Sequence, residues 1–233
     1  MSDRIDRLPP DSCTYPVTEK FISINGEGQR AGQIAAFIRF RCCNLNCSYC
    51  DTRFSCTPDA PCDFLSADEI AAFIRQSGVH CVTLTGGEPL LQPHLRELLL
   101  SLASIPSLQV EIETNGSLPI EAFCGPGCRP AFTLDYKLPS SGMENHMLTE
   151  NYRFLQPQDT VKFVAGSPAD LQRMEEIAKK YRLEQKCRVL VSPVFGSIEP
   201  AQIVDFLISH QLSEIRLQLQ LHKFIWKPDK RGV

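Results

Sequence analysis

No apolar run in this 233-residue sequence reaches the ~18–20 residues that a helix needs to cross a bilayer, so a membrane-spanning protein is not expected. The amino-terminal stretch Met1-Ser2-Asp3-Arg4-Ile5-Asp6-Arg7 has none of the apolar core of a secretory signal, which points to the cytoplasm. Positive charge is scarce as well. Twenty-four lysines and arginines against 27 acids leave a formal charge of −3, and there is no basic, aromatic-rich face of the kind that holds nucleic acid. A small anionic ligand would need locally placed cations. Internal repeats and composition breaks are absent too, so residues 1–233 read as one domain, long enough to bury a core.

Cysteine is the exception to this scarcity. There are eleven, an odd number, so complete pairing is impossible; in a reducing compartment thiols at this density point to metal or redox chemistry. Six of them, Cys42, Cys43, Cys47, Cys50, Cys56 and Cys62, fall between Cys42 and Phe64 together with Pro58 and Pro61. That stretch reads as a loop organised by something other than a hydrophobic core.

The rest of the chain has a regular rhythm. Residues 1–18, with Pro9, Pro10 and Pro16, read as an extended lead-in. Apolar strands are predicted at 35–40, 80–85, 108–113, 131–135, 160–164, 188–191 and 214–219. Amphipathic helices are predicted after Ser66, from Pro93 to about Leu102, after Ser167-Pro168, and from Pro200 to Ile208. Strands alternating with helices at this spacing imply an α/β fold with a mainly parallel sheet. Six or seven strands suit either an incomplete, partial TIM-like β/α barrel or an open doubly wound sheet. Both gather ligands at the carboxyl ends of the strands.

The first predicted strand runs directly into Cys43-Asn44-Leu45-Asn46-Cys47-Ser48-Tyr49-Cys50, a C-x3-C-x2-C spacing. Thiolates are soft ligands suited to iron–sulfur clusters, and three of them on a four-iron cluster leave one iron free. A zinc site, completed by Cys42, Cys56 or Cys62, is the competing reading of the spacing alone. Later strands end in further polar motifs. Thr85-Gly86-Gly87-Glu88-Pro89 reads either as an ordinary turn or as a backbone able to approach a ligand closely. Glu111 and Glu113 fall on one side of their strand by alternation, where burial would be costly without partners. Asp135-Tyr136-Lys137 ends another strand. Thr52 carries a hard oxygen donor suited to magnesium or to a turn cap. Cys124-Gly125-Pro126-Gly127-Cys128 and Cys187 read as buried or incidental thiols rather than a second metal loop.

Taken in order, these motifs resemble the radical S-adenosylmethionine (SAM) superfamily. Ser23-Ile24-Asn25-Gly26-Glu27-Gly28, Arg39, Cys50-Asp51-Thr52 and the Gln220-Leu221-His222-Lys223 tail narrow the resemblance to the 7-carboxy-7-deazaguanine synthases of the pathway to queuosine and related deazapurines. The match runs from about Glu19 to Val233. It implies a lyase that converts 6-carboxy-5,6,7,8-tetrahydropterin to 7-carboxy-7-deazaguanine with loss of ammonia. A reduced [4Fe–4S] cluster would cleave SAM, and the 5′-deoxyadenosyl radical would take hydrogen from substrate C6 before ring contraction.

By the same resemblance, Cys43, Cys47 and Cys50 hold the cluster and Thr52 binds Mg2+. Tyr49, Asp51, Gly87, Glu88, Glu113, Asp135, Lys137 and Ser192 face SAM. Ile24, Asn25, Gly26, Glu27, Arg39, Thr85, Gln220, His222 and Val233 face the substrate. The family usually has Gln at Asn25, Ser-Pro before the lysine at Lys137, and Gln at Ser192, so these positions depart from its pattern. Implied partners are the pterin, an electron donor such as flavodoxin or ferredoxin, and a second subunit in a homodimer. Two other readings share some of these features. A radical SAM activase of a partner enzyme would need the cysteine triplet but not Glu27, Thr52 or His222, and a non-enzymatic zinc module would need only the cysteines.

Overall fold

The computed structural model describes residues 13–233; residues 1–12, the first part of the expected lead-in, lie outside the described residues. The remainder of that lead-in belongs to the sheet. Strand β1 (Thr14–Ile24) pairs antiparallel with β2 (Ile34–Phe40) on one side and with β3 (Asp63–Ser66) on the other. Its alternation is broken by a register shift between Val17 and Glu19, which inverts the side-chain direction along the strand. Tyr15 and Val17 enter the main core, whereas Glu19 and Phe21 pair with Arg39 and Phe37 on the opposite face.

From β2 onward the sheet is parallel. It continues through β4 (Cys81–Gly86), β5 (Gln109–Thr114), β6 (Ala131–Tyr136), β7 (Thr160–Ala165), β8 (Arg188–Pro193) and β9 (Ile215–Leu217). The strand order is β3-β1-β2-β4-β5-β6-β7-β8-β9, an open sheet of nine strands rather than six or seven. The two extra strands are the antiparallel β1 and β3. The sheet does not close, yet its ends are bridged. The Gly28 amide donates to Gln218 Oε1 at 2.7 Å, and Gln218 Nε2 donates back to the Gly28 carbonyl at 2.9 Å. The loop after β1 thereby spans the gap to the end of β9, giving the incomplete barrel.

Helices α1 (Ala67–Ser77), α2 (Leu95–Ala103), α3 (Pro168–Tyr181) and α4 (Pro200–Ser209) cover the outer face. The expected caps are present: Ser66 accepts from the Glu69 amide within a reciprocal capping box, and Ser167 accepts from the Asp170 amide. Ile70, Ile74, Leu98 and Leu102 of α1 and α2 pack on Ile38, Val82, Leu84 and Ile112. Leu171, Met174, Ile177 and Ile203 of α3 and α4 pack on Val161, Phe163, Val189 and Val191. Each such side chain contributes about 1.5–3 kcal/mol on burial. Cys124 and Cys128 sit in or against the first cluster and Cys187 in the second.

The strand period of two then puts the intervening residues on the inner face. These are Arg39, Thr83, Thr85, Glu111, Glu113, Thr133, Asp135, Lys162 and Ser192, a polar lining built by the same alternation that builds the apolar exterior. A short helix, α5 (His222–Ile225), follows β9 and returns the chain towards this lining.

Candidate active site

The six-cysteine loop is held in shape by its own backbone. The Cys42 amide donates to the Ser55 carbonyl at 2.8 Å and the Cys43 amide to the Cys56 carbonyl at 3.0 Å. Arg53 Nη2 donates to the carbonyls of Cys47 and Ser48 at 3.1 and 2.8 Å. Ser48 donates through its amide and hydroxyl to Ser141 and Ser140, at the end of β6. Cys43, Cys47 and Cys50 all open onto one cavity of about 300 Å³. Hydrogen bonding from the Cys56 thiol pulls both Cys43 and Cys50 down to about 6, whereas burial pushes Cys47 up. Thr52 Oγ1 makes no cap to the turn it precedes; its contact is Cys50 Sγ at 3.7 Å.

The glycine pair after β4 serves this loop. A Cβ on Gly87 would fall inside the Cys42 carbonyl, and one on Gly86 would strike the Phe40 backbone. Only glycine lets the turn lie against the cysteine loop, an approach fastened by the Glu88 amide donating to the Cys42 carbonyl at 2.7 Å. Glu88 itself does not reach the cavity. Its carboxylate is fully buried and accepts from the Leu90 amide (3.0 Å), Thr114 Oγ1 (2.8 Å) and the Asn115 amide (2.7 Å). Those bonds set Asn115, whose Nδ2 reaches Cys43 Sγ at 3.6 Å and Asn44 Oδ1 at 2.9 Å.

On the inner face, charge is arranged in chains. Lys137 Nζ stands 2.7 Å from Asp135 Oδ2, while Lys162 Nζ lies 3.4 Å from Asp135 Oδ1 and 3.2 Å from Glu27 Oε2. Burial works to raise Asp135 and Glu27, but the lysines outweigh it and hold both carboxylates below their ordinary range. Glu27 also accepts from Gln220 Nε2 at 3.1 Å and Ser192 Oγ at 3.1 Å. Glu113 accepts from Thr85 Oγ1 at 2.9 Å and has no cation in contact among the described residues; loss of water raises it to about 7.

The tail completes the cavity. A Cβ on Gly26 would lie 2.5 Å from His222 Nδ1, so the imidazole packs on bare backbone. The Leu221 amide donates to the Gly26 carbonyl at 3.1 Å. Burial lowers the His222 pKa, favouring the neutral ring. Lys223 Nζ is 3.7 Å from Asp51, and Ile24, Tyr49, Val233 and Arg39 complete the wall.

Residues 37–134, which carry the cysteine loop and the glycine pair, match the radical SAM superfamily. A 7-carboxy-7-deazaguanine synthase of Clostridium acetobutylicum is 50% identical over 219 residues, covering 94% of this chain and 99% of its own length. This chain belongs to the 7-carboxy-7-deazaguanine synthase family. Another member, from Chlorobaculum tepidum, is 36% identical over 220 residues, covering 93% of this chain and 96% of its own. The crystal structure of QueE from Escherichia coli has the same fold, with a TM-score of 0.66 at 21% identity over 89% of this chain and 94% of that one.

A radical SAM synthase works with a [4Fe–4S] cluster and SAM, and the donor set fits both. Three soft thiols open onto one cavity, beside the bare backbone of Gly86 and Gly87 and the Asp135–Lys137 pair. Most of the residues expected from the synthase family line that cavity. Three do not: Glu88 braces Asn115, Ser192 braces Glu27, and Asn25 is buried beneath the site, where Oδ1 accepts from Thr83 at 2.8 Å. Asn115 belongs to the motif Glu113-Thr114-Asn115-Gly116, which resembles a SAM-side segment of the family; Lys162, Glu19 and Arg231 are not among the residues expected from sequence. Lys162 had a signal, a lysine in the middle of the apolar run Thr160-Val161-Lys162-Phe163-Val164. Glu19 and Arg231 had none, because the strand shift and the tail's return decide where they lie.

Proposed function

We propose that this cavity converts 6-carboxy-5,6,7,8-tetrahydropterin to 7-carboxy-7-deazaguanine with loss of ammonia, a carbon–nitrogen lyase reaction. The observation that carries this is the sharing of one cavity by the three thiols and by Glu27, Arg39, Thr85 and His222. The cluster and SAM supply, when bound, the hydrogen abstraction at substrate C6 that begins ring contraction. Cys43, Cys47 and Cys50 hold the cluster. Lys137, Asp135, Glu113, Tyr49, Asp51 and the Gly87 backbone face SAM, Lys137 as the cation for its carboxylate.

On the substrate side, a carboxylate has about four acceptor positions, and three of those on Glu27 are filled by Lys162, Gln220 and Ser192. The last accepts a pterin N–H, with its direction fixed by the other three. Arg39 pairs with the substrate carboxylate, neutral His222 and the Val233 terminus meet the ring, and Ile24 and Gly26 shape the floor. Thr52, with its hydroxyl free of a cap, would be the protein ligand for Mg2+, a hard ion that favours oxygen donors. A flavodoxin or ferredoxin would be the electron donor, and the enzyme would work in the cytoplasm as a homodimer. No helix among the described residues is long and apolar enough to cross a membrane.

Anaerobic reconstitution with iron and sulfide, then SAM, dithionite, Mg2+ and the carboxytetrahydropterin, should yield 7-carboxy-7-deazaguanine. An intact cluster that cleaves SAM without forming this product would reject the assignment.

A further inference from the structure

One carboxylate joins two arginines at the cavity wall. Glu19 Oε2 accepts from Arg39 Nε at 3.0 Å, and Glu19 Oε1 accepts from Arg231 Nε at 2.9 Å. Each arginine engages Glu19 through Nε alone. Their terminal amino groups have no protein partner among the described residues. The Phe54 ring lies against both: its centre is 3.6 Å from the guanidinium carbon of Arg231 and 6.0 Å from that of Arg39. Stacking on an aromatic face fixes the plane of a guanidinium and the direction of its fork. Glu19, Arg39, Phe54 and Arg231 all line the cavity that His222 and Glu27 share.

The charge count is the second part of the argument. Within the group Arg39, Glu19 and Arg231, two cations against one anion leave one local positive charge, complementary to a monoanionic carboxylate. Arg39 is largely enclosed, with 15% of its side chain exposed, whereas Arg231 is 57% exposed. An exposed ion pair of this kind contributes little to stability, so holding the fold together does not account for the arrangement. Two aimed forks with unused donors are what a carboxylate ligand requires.

We propose that Arg231 is a second carboxylate-binding contact for the substrate, opposite Arg39, and that Glu19 is the positioning residue that aims both. The proposal rests on the assignment of a carboxylated pterin above.

The test uses cluster-loaded protein with SAM under anaerobic conditions, with iron content and circular dichroism matched to the unsubstituted enzyme. Arg231→Gln should raise KM for the carboxytetrahydropterin roughly ten- to hundredfold, the range for a lost hydrogen bond to a charged group, with kcat within about threefold. Arg231→Lys should recover part of the loss. Calorimetric binding of the 6-carboxylate and of its 6-carboxamide analogue separates the carboxylate contact from general damage. Arg231→Gln should weaken the first and leave the second unchanged. Glu19→Gln should raise KM in the same way, and the double variant should be worse than Arg231→Gln alone, because Arg39 also loses its aim, yet fall short of the product of the two single effects, because the Arg231 contact is lost only once. Equal weakening of both ligands, an unchanged KM, or additive losses in the double variant would overturn the proposal. If the unsubstituted enzyme forms no product, the pterin assignment fails by itself. The carboxylate and carboxamide affinities still decide the role of Arg231.

Discussion

The Lys162 ammonium lies 3.2 Å from the Glu27 carboxylate, a pair joining strand β7 to the loop after β1 across 135 residues of sequence. Both side chains are about 90% buried, at 9% and 11% exposed, and Lys162 also stands 3.4 Å from Asp135. Glu27 is assigned to the substrate and Asp135 to SAM, so one cation sits between the two halves of the site. Removing one member of a buried pair leaves an uncompensated charge and costs about 3–5 kcal/mol. Lys162→Met should lower the unfolding free energy of the apoprotein, read from urea titration, by that order. Lys162→Met/Glu27→Gln should regain part of it, because the orphaned carboxylate is gone. A loss under about 1 kcal/mol in the single variant, the range of an exposed pair, would show that Lys162 is not the hub.

Gly87 makes a different prediction, steric rather than electrostatic. The Cys42 carbonyl occupies the space where its Cβ would be, and both groups are backbone, with no flexible end to yield. Overpacking at such a contact costs roughly 1–3 kcal/mol, and here the strain falls on the loop that bears Cys43. Gly87→Ala should fold, as judged by far-ultraviolet circular dichroism, yet take up well under half of the about four irons expected of a [4Fe–4S] cluster. Full iron loading in a folded Gly87→Ala variant would mean that the close approach does not shape the cluster loop.

Much of this was legible from the residues, and the reasons are specific. The parallel run from β2 to β9 follows from apolar strands and capped helices whose signals are local: Ser66 with Glu69, Ser167 with Pro168. The inner lining follows from alternation, which places Glu111 and Glu113 on one side of their strand. What was not legible depended on non-local geometry. The start of β1 has no strand signature in the sequence, because the shift at Val17/Glu19 destroys the period of two. Glu88, Asn25 and Ser192 belong to recognisable motifs, but a motif does not say which way a carboxylate or amide turns. In each case a neighbouring donor or acceptor inside the fold, not the cavity, holds the side chain.

Cys56 is the thiol that separates a three-thiolate cluster from a four-thiolate zinc site. Its Sγ is 3.8 Å from Cys50 Sγ, close enough to be mistaken for a ligand. If the cluster is held by Cys43, Cys47 and Cys50 alone, Cys56→Ser retains about four irons per chain and its visible absorption. The single serine variants at 43, 47 and 50 lose most of both. Loss of iron in Cys56→Ser equal to that in Cys50→Ser would make Cys56 a ligand and remove the open iron position that SAM requires.

Glu113 gives a prediction in pH. Its carboxyl is raised to about 7 by loss of water, while in the unfolded chain it titrates near its ordinary 4.5. Between these values the native state holds a proton that the unfolded state has released. Stability from this group is therefore complete below about pH 4.5, falls as pH rises, and is lost above about pH 7. The slope for one proton is at most about 1.4 kcal/mol per pH unit. Glu113→Gln keeps a neutral acceptor for Thr85 Oγ1 and cannot ionise. The apoprotein variant should thus gain stability relative to the unsubstituted protein as pH goes from 5 to 7, with the difference levelling by pH 8. Subtracting the two urea-unfolding curves at each pH cancels the other titrating groups. Parallel curves across this window would place the Glu113 carboxylate in water, already ionised at pH 5, and remove it from the dry wall of the SAM site.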